Sequence, residues 1–267
     1  MNDSLKQIVA LLQRNLGEEN PHPLALFSDF DGTLAPIAPT PDEAHILPQA
    51  LDALRKLAHV DHRRLLVGIL SGRRLTELRR KLPLDEVLLA GNHGLEVSTS
   101  GGGFIHPQAS LARAELERFQ SEMEPQLARF PGAWIEDKQL GLAVHYRQLD
   151  PQRVPELEAV ISQLASTLDA TRLVHGRSVW ELRPAIEWDK GKALAHMLEI
   201  ADAPPDTLSM YFGDDTTDED AFREVNQRNG LSVLVREQEV PTQAGYRLAS
   251  PEEVADFLSQ VALLYNE

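Results

Sequence analysis

The chain has 267 residues, 42% hydrophobic and 25% charged, with 41 acidic against 26 basic side chains and a formal charge of −15. That length holds one large domain or two modest ones, each with its own core, and the composition excludes a disordered or fibrous protein. The acidic balance argues against broad electrostatic binding to nucleic acid or an anionic membrane, and the absence of cysteine removes disulfides and thiolate metal sites and suits a reducing cytosol.

Leu5, Ile8, Val9, Leu12 and Leu16 fall on one helical face, and Pro21 and Pro23 end that helix. Asp3, Lys6, Gln13 and Arg14 interrupt it before a secretory hydrophobic region forms. No run approaches the roughly 20 apolar residues of a membrane span, so a cytoplasmic location is expected. The apolar run 24–27 leads into Asp29 as a strand buried on both faces would. A helix over 48–59, a strand over 65–70, a helix from Arg73 and a strand over 86–90 follow, a β-α-β-α-β alternation that implies a parallel sheet covered by helices. Gly101-Gly102-Gly103, between Leu95-Glu96-Val97 and Phe104-Ile105, reads as a hairpin turn.

From Ala109 the rhythm becomes a twice-repeated helix-strand-strand unit: a helix to Arg129, strands over 133–136 and 140–147, a helix over 151–168, and strands over 172–175 and 179–183. Such a unit predicts an antiparallel sheet with two helices on one face, an α+β domain inserted at 108–183 between core segments 1–107 and 184–267. The parallel rhythm resumes with a helix over 190–200, a strand over 208–212, a helix after Asp218 and a strand over 231–235. A last helix is announced by Ser250-Pro251-Glu252-Glu253, a capping-box pattern with Pro at the first helical position.

Asp29 and Asp31 flank Phe30 at the end of the first strand, with Gly32-Thr33 next. Two carboxylates so close need a cation or a raised pKa to relieve their repulsion. The pair suits phosphoryl transfer, one carboxylate as nucleophile and the other as acid then base. A second acidic cluster, Gly213-Asp214-Asp215-Thr216-Thr217-Asp218-Glu219-Asp220, also follows an apolar strand. Ligands of open α/β sheets bind outside the carboxyl ends of strands, so both clusters are expected at one pocket. Oxygen ligands and phosphate chemistry point to Mg²⁺, although Asp218 also fits a helix N-cap. Ser71-Gly72-Arg73 offers a hydroxyl and backbone N–H groups to an anion, and Lys190 opens a helix where its ammonium can stabilise a phosphoryl group.

In this order these four pieces resemble the haloacid dehalogenase superfamily of phosphotransferases. The resemblance implies that Asp29 forms an aspartyl-phosphate, that Asp31 protonates the leaving oxygen and then activates water, and that Thr33, Ser71, Gly72 and Lys190 hold the phosphoryl oxygens. It also implies Mg²⁺ on the carboxylates of Asp29 and Asp214 and the backbone carbonyl of Asp31, with Asp215 and Asp218 behind them. The fold implied is a Rossmann-like α/β core with an α+β cap that reads the leaving group.

The strings Glu136-Asp137-Lys138, His145-Tyr146-Arg147, Gly176-Arg177-Ser178-Val179-Trp180-Glu181-Leu182-Arg183-Pro184 and Ala90-Gly91-Asn92-His93-Gly94-Leu95-Glu96 narrow this further. They are similar to those of the trehalose-6-phosphate phosphatase family. That similarity implies hydrolysis of trehalose 6-phosphate to trehalose and phosphate, with Glu136, Lys138, Arg147, Arg177 and Glu181 contacting the disaccharide and His93 and His145 structural. On chemistry alone these groups also fit a solvated sheet face with cross-strand ion pairs. A sucrose-6-phosphate or mannosyl-3-phosphoglycerate type of hydrolase, or a sugar phosphomutase using the same nucleophile, stays open. The expected partner is a small sugar phosphate, without nucleic acid or membrane. A monomer is expected, with higher oligomers left open.

Overall fold

Every residue of Leu24–Ser28 is buried, because this strand lies in the middle of a parallel sheet covered on both faces. The computed structural model describes residues 3–99, 102–176 and 178–266. In chain order its main elements are α1 Asp3–Leu16, β1 Leu24–Ser28, α2 Pro48–Ala58, β2 Leu65–Leu70, α3 Leu75–Lys81, β3 Leu88–Gly91, β4 Glu96–Thr99 and β5 Gly102–Ile105. Next come α4 Arg113–Leu127, β6 Trp134–Asp137, β7 Leu142–His145, α5 Val154–Ala165, β8 Thr171–Gly176 and β9 Val179–Pro184. The chain closes with α6 Lys190–Ile200, β10 Leu208–Gly213, α7 Glu219–Gln227, β11 Leu231–Val235, β12 Tyr246–Leu248 and α8 Pro251–Asn266.

Two compact units result, residues 1–103 with 189–267, and residues 104–188. The first carries the sheet β12-β11-β10-β1-β2-β3-β4-β5, parallel from β12 to β3, with β4 antiparallel to β3. Alternation along the strands feeds two cores. Leu24, Leu26, Val67, Ile69, Met210, Phe212 and Val233 pack with side chains of α1, α2 and α8. Phe27 and Tyr211 point the other way, Phe27 within 2.4 Å of where a Cβ on Gly68 would stand and Tyr211 edge-on to Phe222 of α7 with ring centroids 5.9 Å apart.

From β1 the chain moves outward through β2 and β3, and later returns on the opposite side through β10, β11 and β12. The order therefore reverses between β1 and β10. At such a point the helical connections leave in opposite directions and open a crevice at the strand ends. Ser28 pairs with Phe212 in register, so Asp29 and Asp214 emerge side by side there.

The second unit has the antiparallel sheet β6-β7-β9-β8. Ile135, Leu142, Val144, Trp180, Leu182 and Leu173 face α4 and α5, packing with Leu116, Phe119, Leu157 and Ile161. The unit extends beyond the 108–183 read from sequence because its ends meet each other, the His106 and Trp188 rings lying 4.7 Å apart.

Several element bounds differ from the sequence reading. α3 starts at Leu75 rather than Arg73, because Arg74 holds an extended backbone and Arg73 is committed elsewhere. β7 ends at His145, two residues short of the strand read over 140–147, so Arg147 sits in the following turn. The β12 strand was not anticipated, being three residues of mixed polarity at a sheet edge. Gly101, the tip of the hairpin read from sequence, lies outside the described residues.

Phe257 of α8 is fully buried against Phe212, with ring centroids 5.2 Å apart. Phe257→Ala is expected to lower the unfolding free energy by about 3–5 kcal/mol through lost burial and a residual cavity, read as a drop in the denaturation midpoint. A loss below about 1 kcal/mol would show that α8 does not anchor this face.

Candidate active site

At the crevice, β1 delivers Asp29 and β10 delivers Asp214, while α6 opens with Lys190. Lys190 is buried, and its Nζ donates to Asp29 Oδ2 at 2.8 Å and to Asp218 Oδ1 at 2.6 Å. Asp29 Oδ1 also accepts from the backbone N–H of Phe30 at 2.6 Å. Carboxylate oxygens of Asp29, Asp214 and Asp218 lie within 4.8 Å of one another.

Asp218 differs from the other two. Its Oδ1 accepts from Lys190 and from the Tyr211 hydroxyl at 2.6 Å, and its Oδ2 accepts from the backbone N–H groups of Asp214 and Asp215 at 3.1 and 3.0 Å. A carboxylate has about four lone-pair directions, and here all are engaged, so Asp218 braces the loop while Asp29 and Asp214 keep oxygen capacity for a ligand. Asp215 is the N-cap of a short turn, its Oδ1 accepting from the backbone N–H of Thr216 at 2.7 Å.

Two glycines make this convergence possible. Gly32 has φ +82°, and a Cβ there would lie 2.2 Å from Asp214 Oδ2. A Cβ on Gly213 would lie 2.2 Å from Asp218 Cγ.

The electrostatics reflect the crowding. Burial, with further push from the Asp218 charge, lifts Asp29 to about 7 despite the opposing pull of Lys190. Burial, followed by the charges of Asp218 and Asp29, lifts Asp214 to about 9. For Lys190 burial opposes the charged form, yet the two carboxylates outweigh it and hold the ammonium above its usual range. Burial and the Asp218 charge push the Tyr211 phenol well up. An all-oxygen set of buried carboxylates that repel one another fits a hard divalent cation such as Mg²⁺.

Thr33 is fully buried and its hydroxyl meets no hydrogen-bond partner among the described residues, which suits a donor for a bound anion. Ser71 follows β2 directly, beside β1 in the sheet, and its Oγ accepts from the backbone N–H of Arg73 at 3.3 Å. Gly72 packs against His93, with a Cβ position 2.7 Å from the imidazole, so a side chain here would have to push that ring aside. His93 sits in the left-handed region at φ 57°, and its backbone N–H donates to the Ser71 carbonyl at 2.9 Å.

Arg73 went unassigned in the sequence reading. It is buried and clamps Asp31 bidentately, Nε to Oδ2 at 2.6 Å and Nη2 to Oδ1 at 2.7 Å, while Nη2 also donates to the Pro41 carbonyl at 2.7 Å. The Ser-Gly-Arg string was visible, but its partner lies 42 residues away. Tyr211 was missed too, although a tyrosine inside a buried strand calls for a hydroxyl partner.

In the second unit, the sheet face opposite α4 and α5 carries three of the predicted sugar-contact residues, Glu136, Lys138 and Glu181. Glu136, Ala143 and Glu181 are cross-strand neighbours on it. Lys138 Nζ donates to Glu181 Oε1 at 2.6 Å, and Arg183 Nε to Glu181 Oε2 at 2.8 Å. His145 Nε2 lies 2.7 Å from Glu136 Oε2. Burial opposes both charges, but the His145 bond and Lys138 hold Glu136 below the usual carboxylate range and Glu181 and Glu136 hold Lys138 above its own. Asp137 points to the helix side and pairs with Arg113 of α4 at 2.9 Å. Arg147 is exposed in its turn, and Arg177 lies outside the described residues.

Residues 27–252 match the family model described as trehalose-phosphatase. The chain belongs to the trehalose-phosphatase family. It is 40% identical over 253 residues to a trehalose-phosphate phosphatase of Mycobacterium bovis (strain BCG / Pasteur 1173P2), covering 91% of this chain and 62% of that protein. It thus spans about three-fifths of that relative's length. Among solved structures it resembles a trehalose-6-phosphate phosphatase related protein, with 26% identity, a TM-score of 0.77, and coverage of 90% and 97% of the two chains. A haloacid dehalogenase-like hydrolase from Bacteroides thetaiotaomicron, 15% identical, shares the fold with a TM-score of 0.63 over 90% and 99% of the chains. The Rossmann-like α/β core read from sequence is therefore that of the haloacid dehalogenase fold.

Asp29 and Asp214 have raised pKa values, so in the metal-free protein their contribution to stability is present at low pH and is lost as pH rises through about 7 and 9. A cation must displace those protons. Mg²⁺ is expected to bind more tightly, and to raise the melting temperature more, at the upper end of this range than at its lower end. Equal stabilisation at both ends would contradict a cation held by these two carboxylates.

Proposed function

We propose that this chain hydrolyses trehalose 6-phosphate to trehalose and inorganic phosphate, as a cytoplasmic monomer. Membership of the family supports this reaction class, and one observation bears on the assignment of roles. Asp29 and Asp31, two residues apart, meet different cations, the ammonium of Lys190 and the guanidinium of Arg73. Asp29 keeps oxygen capacity for a ligand beside Lys190, whereas both oxygens of Asp31 accept from Arg73, so Asp31 serves as the acid only after it leaves this clamp and takes up a proton.

In this reading a carboxylate oxygen of Asp29 attacks phosphorus. An O–P bond forms as the bond from phosphorus to the sugar oxygen breaks, and the departing oxygen takes a proton from Asp31. Asp31, now ionised, accepts a proton from water, whose oxygen attacks the aspartyl-phosphate, releasing phosphate and restoring the Asp29 carboxylate. Lys190, the Thr33 and Ser71 hydroxyls and the backbone N–H of Gly72 hold the phosphoryl oxygens throughout. Mg²⁺, held by the carboxylates of Asp29 and Asp214 and the backbone carbonyl of Asp31, would supply charge neutralisation for the phosphoryl group. Asp218 and Asp215 keep the Asp214 loop in place. Glu136, Lys138, Arg147, Arg177 and Glu181 hydrogen-bond the sugar hydroxyls. No helix among the described residues is long and apolar enough to cross a membrane.

The test is phosphate release from a panel of sugar phosphates with and without Mg²⁺. Trehalose 6-phosphate is expected to be turned over fastest, and only with the cation. Rapid release from sucrose 6-phosphate or mannosyl-3-phosphoglycerate, with none from trehalose 6-phosphate, would overturn the assignment. Asp29→Asn is expected to cut turnover by about a thousandfold or more with an unchanged circular dichroism spectrum; substantial residual activity would remove Asp29 as nucleophile.

A further inference from the structure

Trp134 opens β6 and is 39% exposed, a large aromatic side chain outside the apolar core that packs beneath α4 and α5. By strand alternation it shares a face with Glu136, and its cross-strand partner is His145. The two rings stack, with centroids 4.1 Å apart and planes 17° from parallel. His145 in turn contacts Glu136 at 2.7 Å. The floor is Ala143, fully buried beneath its neighbours and flanked in register by Glu136 and Glu181, with Lys138 bridging to Glu181. A methyl side chain there leaves room for the acids and the lysine to converge.

One rim of this face is therefore aromatic and its centre is a set of hydrogen-bonding charges. A pyranose has the same division, a ring of hydroxyls and a face of C–H groups with little polarity. Carboxylates and an ammonium match the hydroxyls, while an indole, large, rigid and already braced by the imidazole, matches the C–H face at little entropic cost.

We infer that Trp134 is a specificity-determining residue whose indole takes the C–H face of a pyranose while Glu136, Lys138 and Glu181 take its hydroxyls. His145 is a positioning residue in this arrangement, holding the indole with its ring and Glu136 with its nitrogen. The inference rests on the sugar-phosphatase reading for the identity of the substrate. It goes beyond that reading by naming an apolar contact that discriminates a sugar from any other phosphate ester.

Two measurements test it. In the first, kcat/KM is determined for trehalose 6-phosphate and for p-nitrophenyl phosphate, an ester with no pyranose. The ratio of the two is expected to fall about tenfold in Trp134→Ala, the size of one lost aromatic contact, chiefly through KM for the sugar ester, and to be largely restored in Trp134→Phe. In the second, trehalose itself is titrated against tryptophan emission. With Trp188→Phe as the common background, so that the buried Trp180 is the other remaining indole, the emission is expected to shift and the shift to vanish when Trp134→Phe is added.

An unchanged ratio in Trp134→Ala, or a parallel fall for both esters, would overturn the proposal. So would an emission change that persists in Trp134→Phe. If the wild type released phosphate from no sugar ester yet trehalose still shifted Trp134 emission, the sugar contact would stand and the phosphatase reading alone would fall.

Discussion

Burying Lys190 between Asp29 and Asp218 is the constraint on which the rest of the first unit depends. Each of these charges would be costly alone in the interior, and an ion pair offsets desolvation only if its remaining hydrogen-bonding capacity is filled. The fold fills it locally. Tyr211 reaches in from β10, two backbone N–H groups close on Asp218, and Gly32 and Gly213 leave out the side chains that would collide with Asp214 and Asp218. Removing any one partner leaves an uncompensated buried charge, so these residues act as one unit rather than as additive pairs.

The same cluster leaves an imbalance. One ammonium faces three buried carboxylates, and burial, reinforced by their mutual repulsion, raises the pKa values of Asp29 and Asp214. That surplus of negative charge is concentrated where strand order reverses between β1 and β10, the place a parallel α/β sheet leaves open at its carboxyl ends. Topology and electrostatics thus converge on one crevice. Arg73 separates Asp31 from this group by giving it a cation of its own, although the two aspartates are neighbours in sequence.

The second unit solves a different problem with similar parts. Its sheet uses one face for a hydrocarbon core and the other for Glu136, Lys138, Glu181, Arg183 and His145, a cross-strand network more organised than a solvated surface needs. In the proposed reading chemistry and selectivity lie on separate elements, so sugar contacts could vary without disturbing the buried aspartates.

The alternation of strands and helices, the antiparallel segment and the two acidic clusters are legible in the sequence, because each is written in local periodicity and in motifs a few residues long. The strands over 65–70 and 231–235 and the helix over 190–200 coincide with their structural bounds, being continuous apolar or periodic segments with sharp ends. Only the tertiary structure decided which carboxylates keep free oxygens, that Arg73 belongs to Asp31, that Tyr211 braces Asp218, that Arg147 leaves its strand, and that Trp134 stacks on His145. Those facts depend on contacts between residues as much as 161 positions apart, and on which hydrogen-bonding directions are already filled. A side chain's partner across a sheet or a crevice is set by topology and register, which no local pattern encodes.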